Sequence, residues 1–570
     1  MDSLSIAEIL VPYQGRQRDA LLPVLWDMQT AFGHIGPDAV RQISHALHVP
    51  EADIYGVISF YSLFSAEPTA ETVIRVCTDP ICGLAGADKV VHSLCHHLNI
   101  QHDETTPDGK YAISHTTCLG LCDHAPAALI SQRGHEEIAV APVASESDVL
   151  ELQITPPYQS IVRGDILLKG ADGKHVESLA KYGDYRALHH AITTLGPEGV
   201  IGEVEKAALI GRGGAAFPTA SKWKMTRQAV GQPKYVVCNA DESEPGTFKD
   251  RVLMEGRPHL ILEGVALCAF AIGATKAYLF VRGEYPESMQ RLQRAIDEAT
   301  HAGLLGENIF GSDFSLDIEI RRGGGAYICG EETALFEAIE GDRGFPRIKP
   351  PYPTTHGLFQ KPTVVNNVET LSTIPGIVEH GGGWFKQWGT EKSTGPKLVS
   401  VSGHVQRPGV YEINPGMTLR QMLEEFCGGV VGNLQTVLMG GAAGTFLTPD
   451  QLDVRLTFED LRAIRSTFGS GAIMVFNETA DLRDILQRLG RFFKHESCGK
   501  CFPCQLGTQR QMEILERADM PLEGDRERLR DIGLTMTESS LCGLGQTAAS
   551  AVLSALEKWP DLFAVKGQPV

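Results

Sequence analysis

Residues 498–504 read Cys498-Gly499-Lys500-Cys501-Phe502-Pro503-Cys504, and Cys542 follows with thirty-seven residues between. Three thiolates on one tight loop can take three corners of an iron–sulfur cubane, and a distant fourth can complete it. Zinc is also held by four thiolates, but its sites usually come as two separated Cys-x2-Cys pairs. A triplet on one loop therefore favours [4Fe–4S]. Gly499 relieves crowding where backbone must wrap a cofactor. A second group lies far upstream: Cys77 and Cys82, then Cys118 and Cys122. Two pairs on two loops fit either [2Fe–2S] or a zinc knuckle. The other five of the thirteen cysteines, Cys95, Cys238, Cys268, Cys329 and Cys427, sit in apolar surroundings and read as buried small hydrophobes.

Outward from these groups, composition limits the possibilities. At 570 residues the chain is too long for one core, and three to five domains are expected. The net charge of −19 argues against sequence-independent nucleic-acid binding and against docking on anionic lipid. The opening residues lack the basic and apolar regions of a secretory signal. The most apolar stretch, 260–281, is broken by Glu263 and Lys276, well short of the ~20 residues a membrane span needs, and reads as a buried helix running into a strand. A reducing, cytoplasmic location is expected, where clustered thiols bind metal or do redox chemistry.

Apolar residues at helical spacing over 18–32 and 39–47 make the first 70 residues helical, and 72–77 and 126–130 read as strands flanking cysteines. A charged run ending in Pro156-Pro157 marks a domain boundary near 156. From about 175 to 375, helical segments alternate with short apolar runs such as 235–240 and 277–283, which suggests α/β layering. Residues 397–412 alternate β-rich positions around Pro-Gly, like a small sheet module. From about 460 onward the pattern is helical.

Three glycine-rich or acidic segments lie in the α/β region: 211–218 (GRGGAAFP), 239–246 (NADESEPG) and 323–333 (GGGAYICGEET). Consecutive glycines let amides converge on a phosphate, and carboxylates at a strand end can bond a flavin edge or ribose hydroxyls. Neither G-x-G-x-x-G nor G-x-x-x-x-G-K-[ST] occurs. Each segment alone also fits a tight loop or a helix N-cap. Together, beside an iron–sulfur signature, they point to a redox nucleotide site.

These segments, with KPPYP (349–353), KPTVVNNVET (361–370) and HESCGKCFPC (495–504), closely resemble the FMN- and NADH-binding subunit of respiratory complex I. The same module serves NAD-reducing hydrogenases and NAD-dependent formate dehydrogenases. The pattern of Cys77, Cys82, Cys118 and Cys122, followed by Ala125-Pro126, resembles the thioredoxin-like [2Fe–2S] subunit. Fused in one chain, the two resemble the HoxF-type diaphorase family. The resemblance implies a multi-domain α/β protein: N-terminal helices plus a thioredoxin-like [2Fe–2S] domain (1–150), an α/β FMN- and NADH-binding domain (157–390), a β-grasp insert (391–455) and a helical [4Fe–4S] domain (456–570).

By the same resemblance, Gly211, Arg212, Gly214, Lys222, Asn239, Asp241, Glu242, Tyr327, Gly330, Glu331, Asn366, Asn367 and Thr370 would contact FMN. Phe217, Glu244, Glu332, Lys349 and Tyr352 would meet NADH, with Glu332 orienting the nicotinamide. Cys77, Cys82, Cys118 and Cys122 would hold [2Fe–2S], and Cys498, Cys501, Cys504 and Cys542 would hold [4Fe–4S]. Met225 stands where an adenine-stacking aromatic is often found, and Ala216 replaces a common glycine. The implied activity is NADH:acceptor oxidoreduction, hydride passing between NAD(H) and FMN and single electrons leaving through [4Fe–4S]. Implied partners are a ferredoxin-like iron–sulfur subunit and a catalytic subunit in a hetero-oligomer, with no nucleic acid and no membrane span. Nickel hydrogenase leads, molybdopterin formate dehydrogenase and a complex I-like assembly follow, and a zinc-bearing non-enzymatic scaffold is the alternative of a different class.

Overall fold

The computed structural model describes residues 5–150, 159–171, 175–518 and 520–563. The boundary expected near 156 lies outside the described residues.

Helices Ile6–Leu10, Leu21–Phe32, Pro37–Leu47 and Glu51–Ile58 come first. In the second, Leu21, Leu22, Leu25 and Met28 bury one face, and Gly33 in the left-handed region ends the helix. A four-stranded sheet follows: β1 (Thr72–Cys77), β2 (Tyr111–Thr116), β3 (Ala128–Gln132) and β4 (Ile138–Val140), ordered β2-β1-β3-β4. β1 and β2 run parallel, with Cys77 opposite Thr116. Their C-terminal ends therefore emerge on one edge, which brings the first cysteine pair to the second.

A short strand, β5 (Ile161–Arg163), joins the third sheet described below rather than the domain that follows it in sequence. The central sheet is wholly parallel: β6 (Tyr235–Ala240), β7 (Lys276–Val281), β8 (Asp317–Arg322) and β9 (Thr363–Asn367), ordered β8-β7-β6-β9. The apolar stretch 260–281 is the helix Pro258–Ile272, buried nearly all round, running into β7. From β6 the chain steps outward to β7 and β8, then returns to place β9 on the other side of β6. In open parallel sheets ligands bind beyond the strand ends where the order reverses. Here that crevice opens between Asn239 on β6 and Asn367 on β9, which are register partners.

The third sheet comprises β10 (Lys397–Gly403), β11 (Gly409–Ile413), β12 (Leu434–Met439), β13 (Thr445–Leu447) and β14 (Ala472–Asn477), with β5, ordered β13-β12-β14-β10-β11-β5. The sheet thus extends past 455, and the region after 456 is not helical throughout. β14 lies between β12 and β10 and all six of its residues are buried, so it lacks the polar alternation that marks a half-exposed strand. Helices Leu482–Glu496, Phe502–Glu516, Asp525–Ser539 and Ser550–Lys558 complete the C-terminal region.

The glycine run 323–325 serves packing rather than the nucleotide crevice. Leu63 N–H donates to the Gly324 carbonyl at 3.0 Å and Ser62 N–H to that of Gly325 at 3.2 Å. A Cβ on Gly324 would stand 2.7 Å from Tyr61 Cβ. Only glycine permits this approach of the N-terminal helices to the end of β8.

Candidate nucleotide cleft and iron–sulfur sites

A cleft of about 740 Å³ opens at the crevice between β6 and β9, within the ~300–1,000 Å³ usual for small-molecule sites. Twelve of the residues singled out in the sequence line it: Gly211, Phe217, Lys222, Asn239, Gly330, Glu331, Glu332, Lys349, Tyr352, Asn366, Asn367 and Thr370. Its polar side chains are braced from behind. Asn239 Nδ2 donates to the Gly330 carbonyl at 2.8 Å, and Asn366 Oδ1 accepts from Trp223 Nε1 at 2.8 Å. Asn367 Nδ2 donates to Asp250 Oδ2 at 2.6 Å, while its Oδ1 accepts from Glu369 N at 3.0 Å and caps the helix Val368–His380. Thr370 Oγ1 accepts from the Arg212 backbone N–H at 2.9 Å.

Charge is concentrated on one wall. Lys349 Nζ lies 2.8 Å from both Glu331 and Glu332, and Lys222 Nζ 3.7 Å from Glu332. Burial would raise the Glu332 carboxyl, but Lys222 and Lys349 outweigh it and hold it below the ordinary carboxylate range. Glu331 caps the helix Glu332–Glu340. On the rim, Phe217 (45% exposed) and Tyr352 (58%) offer open ring faces beside Met225.

Six of the expected contacts do not line the cleft: Arg212, Gly214, Asp241, Glu242, Glu244 and Tyr327. The Glu242 carboxylate accepts from Asp250 N (2.8 Å) and Arg251 N (2.9 Å), at the start of the helix Lys249–Gly256. Tyr327 Oη donates to Glu244, and Glu244 Oε1 accepts from Ala443 N at 2.7 Å. Burial pushes the Glu244 carboxyl up to about 7 and that of Asp241 up to about 8. Gly214 lies beside Gly469. Arg212 is buried and donates to the Thr394 carbonyl at 2.5 Å. Its Nε and Nη1, and Asp241 Oδ2, have no hydrogen-bond partner among the described residues. The polar groups that do line the cleft, those of Asn239, Asn366, Asn367 and Thr370 among apolar neighbours, fit a bound polar cofactor.

The cysteines gather as their spacing predicts. Cys498, Cys501, Cys504 and Cys542 line one small cavity with Ile328 and Leu544. Burial pushes Cys504 up to about 12 and Cys542 up to about 11; bound iron reverses that preference by stabilising the thiolate. Cys118 and Cys122 sulfurs lie 3.4 Å apart, and Cys77 interacts with both Cys118 and Cys82. All four of these thiols are buried, whereas Cys498, Cys501 and Cys542 are partly exposed. No three His, Cys, Asp or Glu side chains among the described residues are arranged to hold a single metal ion.

Two short segments join the cavity to the cleft. Ile328 lines the cysteine cavity and Gly330 the cleft; Cys542 lines the cavity and Gly543 the cleft. Gly543 and Thr354 were not singled out in the sequence, whereas Gly213 lies in the glycine-rich segment 211–218. Adjacency to Cys542 was the available signal for Gly543, and nothing distinguishes Thr354 from a surface threonine.

Known families match in the same order along the chain: a thioredoxin-like [2Fe–2S] ferredoxin over residues 6–146, the Nuo51 FMN-binding domain over 204–376, an SLBB domain over 397–466 and the NADH-ubiquinone oxidoreductase-F iron–sulfur binding region over 484–566. The NAD-reducing hydrogenase HoxS subunit alpha of Cupriavidus necator is 36% identical over 594 residues, covering 99% of this chain and 94% of its own. The chain belongs to this family of NADH-oxidising flavin iron–sulfur subunits. Another relative, an NADH-quinone oxidoreductase subunit of Aquifex aeolicus, is 43% identical over 402 residues, 70% of this chain and 93% of that protein. The fold matches a crystal structure of an air-oxidized NAD+-reducing [NiFe]-hydrogenase with a TM-score of 0.84 and 34% identity, over 96% of this chain and 94% of that one. Membership makes FMN, NAD(H), [2Fe–2S] and [4Fe–4S] the cofactors of this chain, and the zinc alternative is not retained. Among the described residues no helix is long and apolar enough to cross a membrane.

Proposed function

We propose that this chain is the diaphorase subunit of an NAD-reducing nickel hydrogenase, with FMN and nicotinamide in the cleft between β6 and β9. The single observation carrying this reading is that the cleft and the Cys498–Cys501–Cys504–Cys542 cavity share the segments 328–330 and 542–543. A redox group in the cleft then lies one short wall from a cluster whose other side reaches the surface.

Bound FMN supplies hydride acceptance and release of electrons one at a time. The protein's part is position and charge. Gly213 lets its loop close against Asn367 at the end of β9, since a Cβ there would sit 2.9 Å from Asn367 Cβ. Asn239, Asn366, Asn367 and Thr370, each braced from behind, present fixed polar atoms to the flavin. Lys222 and Lys349 keep Glu332 ionised, and its carboxylate orients the nicotinamide carboxamide. Phe217 and Tyr352 flank the nucleotide at the rim. Arg212, Asp241, Glu242, Glu244 and Tyr327 support the site from behind the cleft wall. Buried Cys77, Cys82, Cys118 and Cys122 hold [2Fe–2S] as an internal electron site, while the partly exposed [4Fe–4S] ligands face a ferredoxin-like iron–sulfur protein of the same assembly.

The near full-length likeness to a hydrogenase alpha subunit favours nickel hydrogenase over formate dehydrogenase or a complex I-like assembly. Cysteines grouped to hold iron–sulfur rather than to pair as disulfides support a reducing, cytoplasmic location. Anaerobic purification from its source should yield a flavin- and iron-containing protein that reduces ferricyanide with NADH and copurifies with a nickel subunit. Stoichiometric zinc without flavin or iron would overturn the diaphorase reading; a molybdenum subunit in place of nickel would move it to formate dehydrogenase.

A further inference from the structure

Arg282 follows directly on β7 and is buried. Its guanidinium has two arms on two different units. Nη1 donates to the Glu242 carbonyl at 2.7 Å, in the acidic turn after β6, and Nη2 donates to the Cys118 carbonyl at 2.7 Å, in the second cysteine loop. Nearby groups reinforce this bridge. Tyr285 packs against the Arg282 guanidinium at 4.9 Å and lies so close to Gly120 that a Cβ there would overlap its hydroxyl. Arg251, whose backbone N–H is held by Glu242, donates from Nε to the Gly120 carbonyl at 3.0 Å. The Gly246 N–H, from the same turn, reaches the Cys122 sulfur. Opposing charge comes from Glu284, 3.0 Å from Arg282 Nη2, and from Asp79, whose Oδ2 accepts the Cys118 N–H at 2.7 Å.

We propose that Arg282 is a positioning and tuning residue for the [2Fe–2S] centre, raising its reduction potential by holding a buried cation against the Cys118 loop while fixing that loop to the flavin-side turn. This rests on the assignment of Cys77, Cys82, Cys118 and Cys122 as the ligands. Reduction adds one electron, drawn from NADH through the flavin, and so one negative charge to a buried site. A cation held close by stabilises the reduced form, and low dielectric strengthens the effect. Glu284 reduces the effect without reversing it, because the guanidinium contacts the Cys118 loop directly.

The test is an anaerobic redox titration of the full chain, following the [2Fe–2S] and [4Fe–4S] signals separately by electron paramagnetic resonance, with iron and flavin content measured in each variant. Arg282→Gln is expected to lower the one-electron equilibrium constant of the [2Fe–2S] centre at least tenfold, about 59 mV, with [4Fe–4S] unmoved. Arg282→Lys, which keeps the charge, should lose less. If Arg282→Gln does not fold or load, Arg282→Gln/Glu284→Gln removes the buried ion pair together and should shift in the same direction by a smaller amount. An unmoved [2Fe–2S] potential, equal shifts of both centres, or an Arg282→Lys shift equal to that of Arg282→Gln would each overturn the proposal. Absence of any [2Fe–2S] signal in the unaltered protein would instead end the ligand assignment, and the proposal with it.

Discussion

Glu332 shows how much a single residue's role depends on its neighbours. A glutamate at a helix start is commonly a capping or dipole device. Here Glu331 performs the capping, which leaves Glu332 free to face the cleft between Lys222 and Lys349. Glu332→Gln removes the charge and retains the shape. The KM for NADH should rise about tenfold, roughly 1.4 kcal/mol, while FMN content stays unchanged. Steady-state kinetics together with flavin extraction check both halves. Loss of FMN at unchanged KM would assign Glu332 to the flavin instead.

At the scale of an element, the buried helix Pro258–Ile272 carries a single carboxylate, Glu263, along a largely apolar cylinder. Glu263 accepts from Tyr182 Oη and from Leu188 N at 2.9 Å, and burial pushes it from the ordinary 4.5 up to about 7. The folded state therefore binds a proton that the unfolded chain has released between these values. The stability associated with that proton is fully present below about 4.5 and is lost as pH rises through about 7. Glu263→Gln should remove this slope, so thermal midpoints of the variant and the parent should diverge in the variant's favour on going from pH 5 to pH 8. A second element-level expectation concerns the end of β8. Gly324→Ala forces a methyl group against Tyr61, and overpacking of this kind costs about 1–3 kcal/mol. The variant should melt earlier and release the N-terminal unit faster under limited proteolysis.

Over the whole molecule, the C-terminal cysteine site shares wall segments with the cleft, and the N-terminal one is tied to the turn after β6. Only the C-terminal site combines adjacency to the cleft with partial exposure. Cys542→Ser should abolish the [4Fe–4S] resonance and electron delivery to the partner protein. The flavin, the [2Fe–2S] resonance and NADH-dependent ferricyanide reduction at the flavin should persist. Retention of partner reduction would place the exit elsewhere.

The cysteine spacings, the α/β alternation and the buried helix leading into β7 are legible in the linear sequence, because each is a local pattern whose chemistry or periodicity needs no distant residue. Twelve of the cleft residues are legible through motifs that the family shares. β14 is not, because a fully buried strand carries no alternation. The Gly323–Gly325 run misleads, because a glycine required for close backbone packing looks the same, in sequence, as one required for phosphate. The sequence by itself determined how the cysteines group and, through its motifs, the family whose cofactors they imply, since ligand type and spacing are covalent facts. Only the tertiary structure decided that Glu242 accepts the first-turn N–H groups of the helix Lys249–Gly256, that Arg282 ties Glu242 to Cys118, and that adjacent Cys542 and Gly543 line the cysteine cavity and the cleft. Those depend on which distant segments come within hydrogen-bond range, and long-range packing sets that.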